Sequence, residues 1–317
     1  MPVAPSARSD WADSPVDEVR WELFRSLGAV VLTPPPGNRA LCAALDLPIP
    51  TGVEHTDAFV LSAPPHGAIH LGSEGKLGGE GLDRIAGFWR VLGLQAPEDA
   101  DHLGALLMLY AEVGEAEQNA SGERARAQLH RARAALFDEH IWSWAPGYLL
   151  AVTELGIDSV GAWARLTDQA LRAEYADLGP AEMLPLALRA APPGMDAADS
   201  LDETLDALVA PIRSGAVLTY RDLANCAHSV GVGLRRGERR FALRAMLEQD
   251  APGTLTWLGA HARWWAQRCA SATLRKANDP CAWWSRRAAN TARVLETLVA
   301  EMPAEASDRR EDLLCWD

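Results

Sequence analysis

The sequence predicts an all-α protein: a compact multi-helix globule with an additional helical C-terminal region. Three observations carry this. Apolar residues recur at i, i+3, i+4 and i+7 through nearly every patterned segment. The period-two alternation of a half-buried strand is missing. Helix start and stop signals bracket the patterned segments. With 317 residues, 48% hydrophobic and 23% charged, the chain can bury a large core without disulfide staples and is too apolar for wholesale disorder.

Residues 1–13 are expected to be disordered. Ser14-Pro15-Val16-Asp17 then supplies an N-cap, an N1 proline and a first-turn acid. Val16, Val19, Leu23, Leu27 and Val30 continue at helical spacing until Pro34-Pro35-Pro36 stops the helix. A short helix is expected over 38–47. The Pro- and Gly-rich stretch 48–79 reads as a long irregular connection, a length that is uncommon unless functional. From Glu80, Leu82, Ile85, Trp89 and Leu92 form an apolar stripe; from Asp101, Leu103, Leu106, Leu107 and Tyr110 form another. Residues 114–122 read as a polar loop. A helix then runs from about Glu123 towards Trp144, where Pro146 ends it, and two more are expected at 147–155 and 159–177. Ala191-Pro192-Pro193-Gly194 is the best domain boundary. It separates a helical domain, 14–190, from a helical extension, 195–302. Helices are expected there at about 200–213, 219–229, 237–249, 253–272 and 280–301. Residues 303–317 form a polar tail that closes on Leu313-Leu314-Cys315-Trp316.

Composition narrows the function. The net charge of −13 disfavours a surface that tracks nucleic acid and suits a cationic partner. Lys76 and Lys276 are the only lysines among 30 basic residues, which reads as coding bias. Tryptophan is unusually frequent, 12 against 5 Phe and 4 Tyr. The five cysteines, Cys42, Cys226, Cys269, Cys281 and Cys315, are odd in number and contain no CxxC. That argues against a disulfide framework or a thiolate zinc site and fits a reducing cytoplasm. No uninterrupted apolar run reaches 18 residues, so no membrane insertion is expected. The first fifteen residues hold no apolar signal-peptide core, so no secretory signal is expected. Phosphate-loop, dinucleotide, HExxH and GxSxG patterns are all absent.

Several polar residues draw notice. His66 and His70 are four apart, but Pro64, Pro65 and Gly67 argue against a helix there, and no metal site is expected. His140 lies four residues after Leu136 and four before Trp144, on the inward stripe of its helix. It is either a satisfied core group or part of a site. Asp101 and His102 open a helix. They are either a first-turn cap or a polar pair at the rim of a groove.

In order, Ala63-Pro64-Pro65-His66-Gly67-Ala68-Ile69-His70-Leu71, Gly87-Phe88-Trp89-Arg90, Asp101-His102-Leu103-Gly104 and His140-Ile141-Trp142-Ser143-Trp144-Ala145-Pro146 form a pattern that resembles the TorD/DmsD family, with the NarJ group as relatives. These are cytoplasmic chaperones of molybdopterin-dependent redox enzymes. The resemblance covers roughly residues 15–190. It implies an all-helical globule that binds rather than catalyses, with no cofactor or metal of its own. The implied partner is the catalytic subunit of a molybdopterin oxidoreductase. Its twin-arginine signal peptide, its apo form, or both are held in the cytoplasm for cofactor insertion before export. The family's binding positions fall on His55, Ala58 and Phe59, on Pro65 and His66, and on Asp101 and His102, with His140 and Trp144 as further client-facing candidates. His66 and His70 stand where an aromatic residue is usual, and Ala58 where a larger apolar group is usual. Carboxylates such as Asp57 and Asp101 suit the guanidinium groups of a leader.

The extension carries one concentrated cationic segment, Arg235, Arg236, Arg239, Arg240 and Arg244. Arg236, Arg240 and Arg244 are expected to share a helix face and are candidates for an anion or partner contact. Two readings stand. The acidic stretch Asp202-Glu203-Asp206 could sit opposite, inside the molecule. Alternatively, 219–248 forms a helix-turn-helix-like unit of a nucleic-acid-binding regulator, with a turn longer than usual. Trp257, Trp264, Trp265, Trp283 and Trp284 are expected in the core.

Overall fold

A computed structural model describes residues 15–302 apart from Pro180 and Lys276, with side chains from Val19 onward. The expected disorder of 1–13, the Ser14 cap and the tail 303–317 lie outside the described residues. The described residues are all-α, and their one strand-like feature is an isolated antiparallel bridge between His66 and His102.

The helices of the first part are α1 (Pro15–Leu32), α2 (Arg39–Ala44), α3 (Gly52–Thr56), α4 (Gly67–Leu71), α5 (Gly79–Val91), α6 (Leu103–Gln118), α7 (Glu123–Ala135), α8 (Ala145–Glu154) and α9 (Asp158–Leu178). Two of them widen into π-helix at their ends, α3 over Asp57–Ser62 and α7 over Leu136–Trp142. The second part holds α10 (Leu186–Arg189), α11 (Leu201–Val209), α12 (Pro211–Ser214), α13 (Tyr220–Val230), α14 (Arg239–Gln249), α15 (Ala251–Ala272) and α16 (Pro280–Glu301).

Most of these fall where the periodicity places them, and three expectations fail. The stretch 48–79 is not one irregular connection. Thr51 and Glu54 form a reciprocal capping box that starts α3, with Glu54 N–H donating to Thr51 Oγ1 at 3.2 Å and Thr51 N–H to Glu54 Oε2 at 2.7 Å. A short helix also forms at Gly67–Leu71 despite the prolines, because its first turn is capped from a distant residue. Residues 114–118 belong to α6 rather than to a loop. Gly114 serves there as a seat for the Trp21 ring, whose Nε1 donates to Gln118 Oε1 at 3.0 Å.

Trp142, Trp144, Trp163, Tyr110, Phe24 and Phe137 form the aromatic heart of the first core. A buried ion cluster ties its helices together. Glu174 of α9 accepts from Arg20 Nε at 2.7 Å, from Arg133 Nη1 at 2.6 Å and from the Tyr110 hydroxyl. Burial, followed by the Glu174 charge, raises the Tyr110 hydroxyl above its ordinary range. A second core lies within α11 and α13–α16, around Leu205, Leu223, Leu243, Met246, Leu258 and Leu295.

A third apolar cluster joins the two parts. Ala151 of α8 and Leu188 of α10 meet Ile212, Val217, Trp265, Cys269 and Trp284 there. Trp265 and Trp284 are buried, while Trp257, Trp264 and Trp283 pack partly buried against these cores. The Trp284 Nε1–H donates to the Ser143 carbonyl at 2.8 Å.

Candidate functional site

The two loops carrying the telling motifs interlock. Asp101 is 2% exposed. Its Oδ2 accepts from Ala68 N–H at 2.8 Å, and its Oδ1 lies 3.3 Å from His66 Nδ1. Between the same segments, Gly67 N–H donates to the Asp101 carbonyl at 3.0 Å, and Leu103 N–H to the Pro65 carbonyl at 2.7 Å. Asp101 therefore caps α4 from outside it, supplying an acceptor that α4 does not have within its own turn. Burial pushes the Asp101 carboxyl up, but His66 and the Ala68 N–H outweigh it and hold the group below its ordinary value.

His102 is the N-cap of α6, its Nδ1 accepting from Gly104 N–H at 3.0 Å. That bond assigns Nδ1 as the acceptor of a neutral ring. Burial, with His66 adding repulsion, lowers His102 to about 4. The His66 and His102 rings meet edge to face, 5.0 Å between centroids. Gly104 lets α1 and α6 cross closely: a Cβ there would lie 2.7 Å from the Gly28 carbonyl.

The second motif forms an adjoining aromatic cluster. Trp144 Nε1–H donates to the His140 carbonyl at 2.7 Å. His70 stacks on Trp144 with centroids 5.0 Å apart and meets Tyr148 edge-on at 5.6 Å. His140 faces Phe88 at 5.0 Å. Burial lowers His70 to about 3, with Arg239 adding repulsion, and lowers His140 to about 4, with Arg84 adding. Both rings are neutral at pH 7. His55 packs on Phe59, and Phe59 on Trp163.

The structure thus brings Pro65, His66, Asp101 and His102 into one interlock, with His140 and Trp144 beside it. Of the nine candidates, only His66 and His102 keep partial exposure; His55, Ala58, Phe59, Pro65, Asp101, His140 and Trp144 are buried. The Asp101 carboxylate is already engaged, so an incoming guanidinium would have to displace its present partners. Asp57 is more open: its carboxylate accepts from Ser62 Oγ at 2.9 Å and stands 3.8 Å from Arg221.

The sequence reading missed the outward side of the α3 helix. Val53, Val60 and Leu61 are 80%, 60% and 69% exposed, and Ile49 just before the helix is exposed too. The signal was present. The run Val53-Glu54-His55-Thr56-Asp57-Ala58-Phe59-Val60-Leu61 holds more apolar residues than one inward face can take. His55, Ala58 and Phe59 fill that face, and the others are left outside. The π-turn, in which Ala63 N–H reaches back five residues to the Ala58 carbonyl at 2.8 Å, is a distortion that often marks functional segments.

The arginine segment reads differently from the expectation of one shared face. Arg236 precedes α14 and is exposed, so it is not in helical register with Arg240 and Arg244. Arg240 pairs with Asp206 at 2.5 Å and with Asp202, and Arg244 pairs with Asp202. The acidic helix α11 does sit opposite. The connection between α13 and α14, 231–238, is too long for a tight helix-turn-helix, and two of the three candidate cations are committed within the molecule. Among the described residues no three His, Cys, Asp or Glu side chains gather as metal ligands, and no helix is long and apolar enough to cross a membrane.

The motif residues thus lock helix ends around an aromatic cluster and leave an apolar helix face outside. Residues 49–149 match the family described as Nitrate reductase delta subunit, a family of molybdoenzyme maturation chaperones. The match encloses the interlock and most of the aromatic cluster, and it agrees with the NarJ-related TorD/DmsD resemblance of the same motifs. No curated protein matches the chain.

Proposed function

We propose that the protein is a cytoplasmic chaperone for the catalytic subunit of a molybdopterin-dependent oxidoreductase. It binds the subunit's twin-arginine signal peptide, its apo form, or both before export, and it is not an enzyme. The observation that carries this reading is the family match over 49–149, a stretch containing the exposed apolar side chains Val53, Val60 and Leu61 beside the acids Glu54 and Asp57. An apolar strip next to carboxylates complements a segment with a cationic end and an apolar body. The acidic net charge speeds encounter with such a segment.

The test is native capture of the tagged protein from its own host, followed by mass spectrometry. The expected catch is one large molybdopterin-binding subunit with its leader attached, lost in a Val60→Asp, Leu61→Asp variant that folds normally. A catch without any redox subunit would overturn the proposal.

A further inference from the structure

A cavity of about 370 Å³ lies on the seam between the two parts of the chain, walled by α8 and α9 of the first and by α15 and α16 of the second. Leu149 and Leu150 of α8 and Trp284 of α16 give it an apolar side. Arg165 and Arg172 of α9 and Arg268 of α15 also line it, against one lining acid, Asp168. The chain as a whole has a net charge of −13, so three guanidiniums around one small apolar space run against its general composition.

The three arginines are not used alike. Arg172 is committed, with Nε donating to Asp168 Oδ2 at 2.6 Å and Nη1 to the Ala272 carbonyl at 3.2 Å. That pair takes up the lining acid. Arg268 stands 3.8 Å from Glu154, beyond hydrogen-bond range. The Arg165 guanidinium lies back over Gly161 and makes no hydrogen bond or ion pair among the described residues. Asp279, whose charge also reaches Arg172, already accepts the backbone N–H groups of Leu274, Arg275 and Cys281. Two guanidiniums, on helices from different parts of the chain, therefore keep unused donors beside an apolar wall.

We propose that this cavity binds a small organic anion. A carboxylate or phosphate head is held by Arg165 and Arg268, and an apolar body lies against Leu149, Leu150 and Trp284. The guanidinium fork matches either head, and the volume is that of a small-molecule site. Because both parts supply the walls, the ligand bridges the seam and stabilises the folded chain. This inference does not depend on the client proposed above.

The test is calorimetric titration and thermal melting of the full chain with phenyl phosphate and with benzoate. Inorganic phosphate and acetate serve as the same heads without a ring. One ring-bearing probe is expected to bind about tenfold more tightly than its bare head, because its ring is buried, and to raise the melting temperature. Which of the two does so identifies the head. Arg165→Gln and Arg268→Gln, both at exposed positions, should each weaken that binding about tenfold, the loss of one charge-assisted hydrogen bond. Arg236→Gln, exposed and outside the cavity, should leave it unchanged. The proposal is overturned if neither ring-bearing probe binds, or if the bare heads bind as tightly as the ring-bearing ones. It is also overturned if Arg236→Gln weakens binding as much as Arg165→Gln, since the anion would then be reading surface charge at large.

Discussion

The Asp101 carboxylate accepts the backbone N–H of Ala68 at 2.8 Å across 33 residues of sequence. One side chain therefore starts a helix in a different segment, while its neighbour His102 caps its own. The two motif stretches are folded as one object, and removing the charge should loosen both. Asp101→Asn is expected to cost about 1–3 kcal/mol, the penalty for impairing a buried charge-assisted bond. The urea midpoint measures it. An unchanged midpoint would show that Asp101 does not hold α4.

The Gly28–Gly104 crossing gives a second expectation. A Cβ at Gly104 would stand 2.6 Å from Leu32 Cγ, 2.7 Å from the Gly28 carbonyl and 2.9 Å from Val31 Cγ1. Gly104→Ala should destabilise the protein by about 1–3 kcal/mol through overpacking. Gly87, in the middle of α5, has nothing within 4 Å of its Cβ position. Gly87→Ala should instead stabilise by about 0.5–1 kcal/mol. Thermal melts of the pair should therefore move in opposite directions.

The buried histidines make stability depend on pH. His70 is lowered to about 3, His102 and His140 to about 4, and His55 is also lowered, each chiefly by burial. The unfolded chain takes up these protons near pH 6.5 and the folded chain does not, so stability falls as pH drops from about 6.5 towards 4. Asp138, raised to about 6 by burial, acts in the opposite direction between its unfolded value and pH 6 and offsets part of this fall. The melting temperature should therefore decrease from pH 7 to pH 4.5. His70→Phe, which keeps an aromatic ring against Trp144, should make that slope shallower. An equal slope in the variant would remove His70 from the account.

Two adjacent arginines should behave differently. Arg239 is largely buried, donating to the Leu218 carbonyl at 2.8 Å and to the Gly75 carbonyl at 3.2 Å, and burial lowers its pKa. Arg239→Ala leaves both carbonyls without this donor and should cost about 1–3 kcal/mol. Arg240 pairs with acids at the surface, where such pairs contribute little. Arg240→Ala should leave the denaturation midpoint unmoved. A large loss there would show the α11–α14 pairing to be a stability element.

How much was legible depended on whether the cause was local. Helices such as α9 and α16 were readable because their apolar spacing lies within one segment, and for α16 the Asp279 cap does too. The Asp101 cap of α4 was not, because its donor and acceptor are 33 residues apart, so the prolines before Gly67 pointed to irregular chain. Gly114 resembled a loop signal because its reason, the Trp21 ring, belongs to another helix. At the site, the motifs pointed to residues that the structure brings together, but spacing could not reveal that most of them face inward. The pairing of Asp202 and Asp206 with Arg240 was readable as one of two alternatives, since opposite charges on neighbouring helices are a short list.

The tryptophan seam ties the two parts of the chain together, and its thermodynamic consequence is an expected coupling of their unfolding. Trp284 rests its indole on the carbonyl of Ser143, inside the second motif, and Ala151, Trp265 and Cys269 surround it. Opening the seam would wet this indole and strand that carbonyl, so α8 cannot loosen without α16. Amide protons in these two helices should then exchange at a common, global rate, and a chain cut at Gly194 would be an incomplete fold rather than a minimal one.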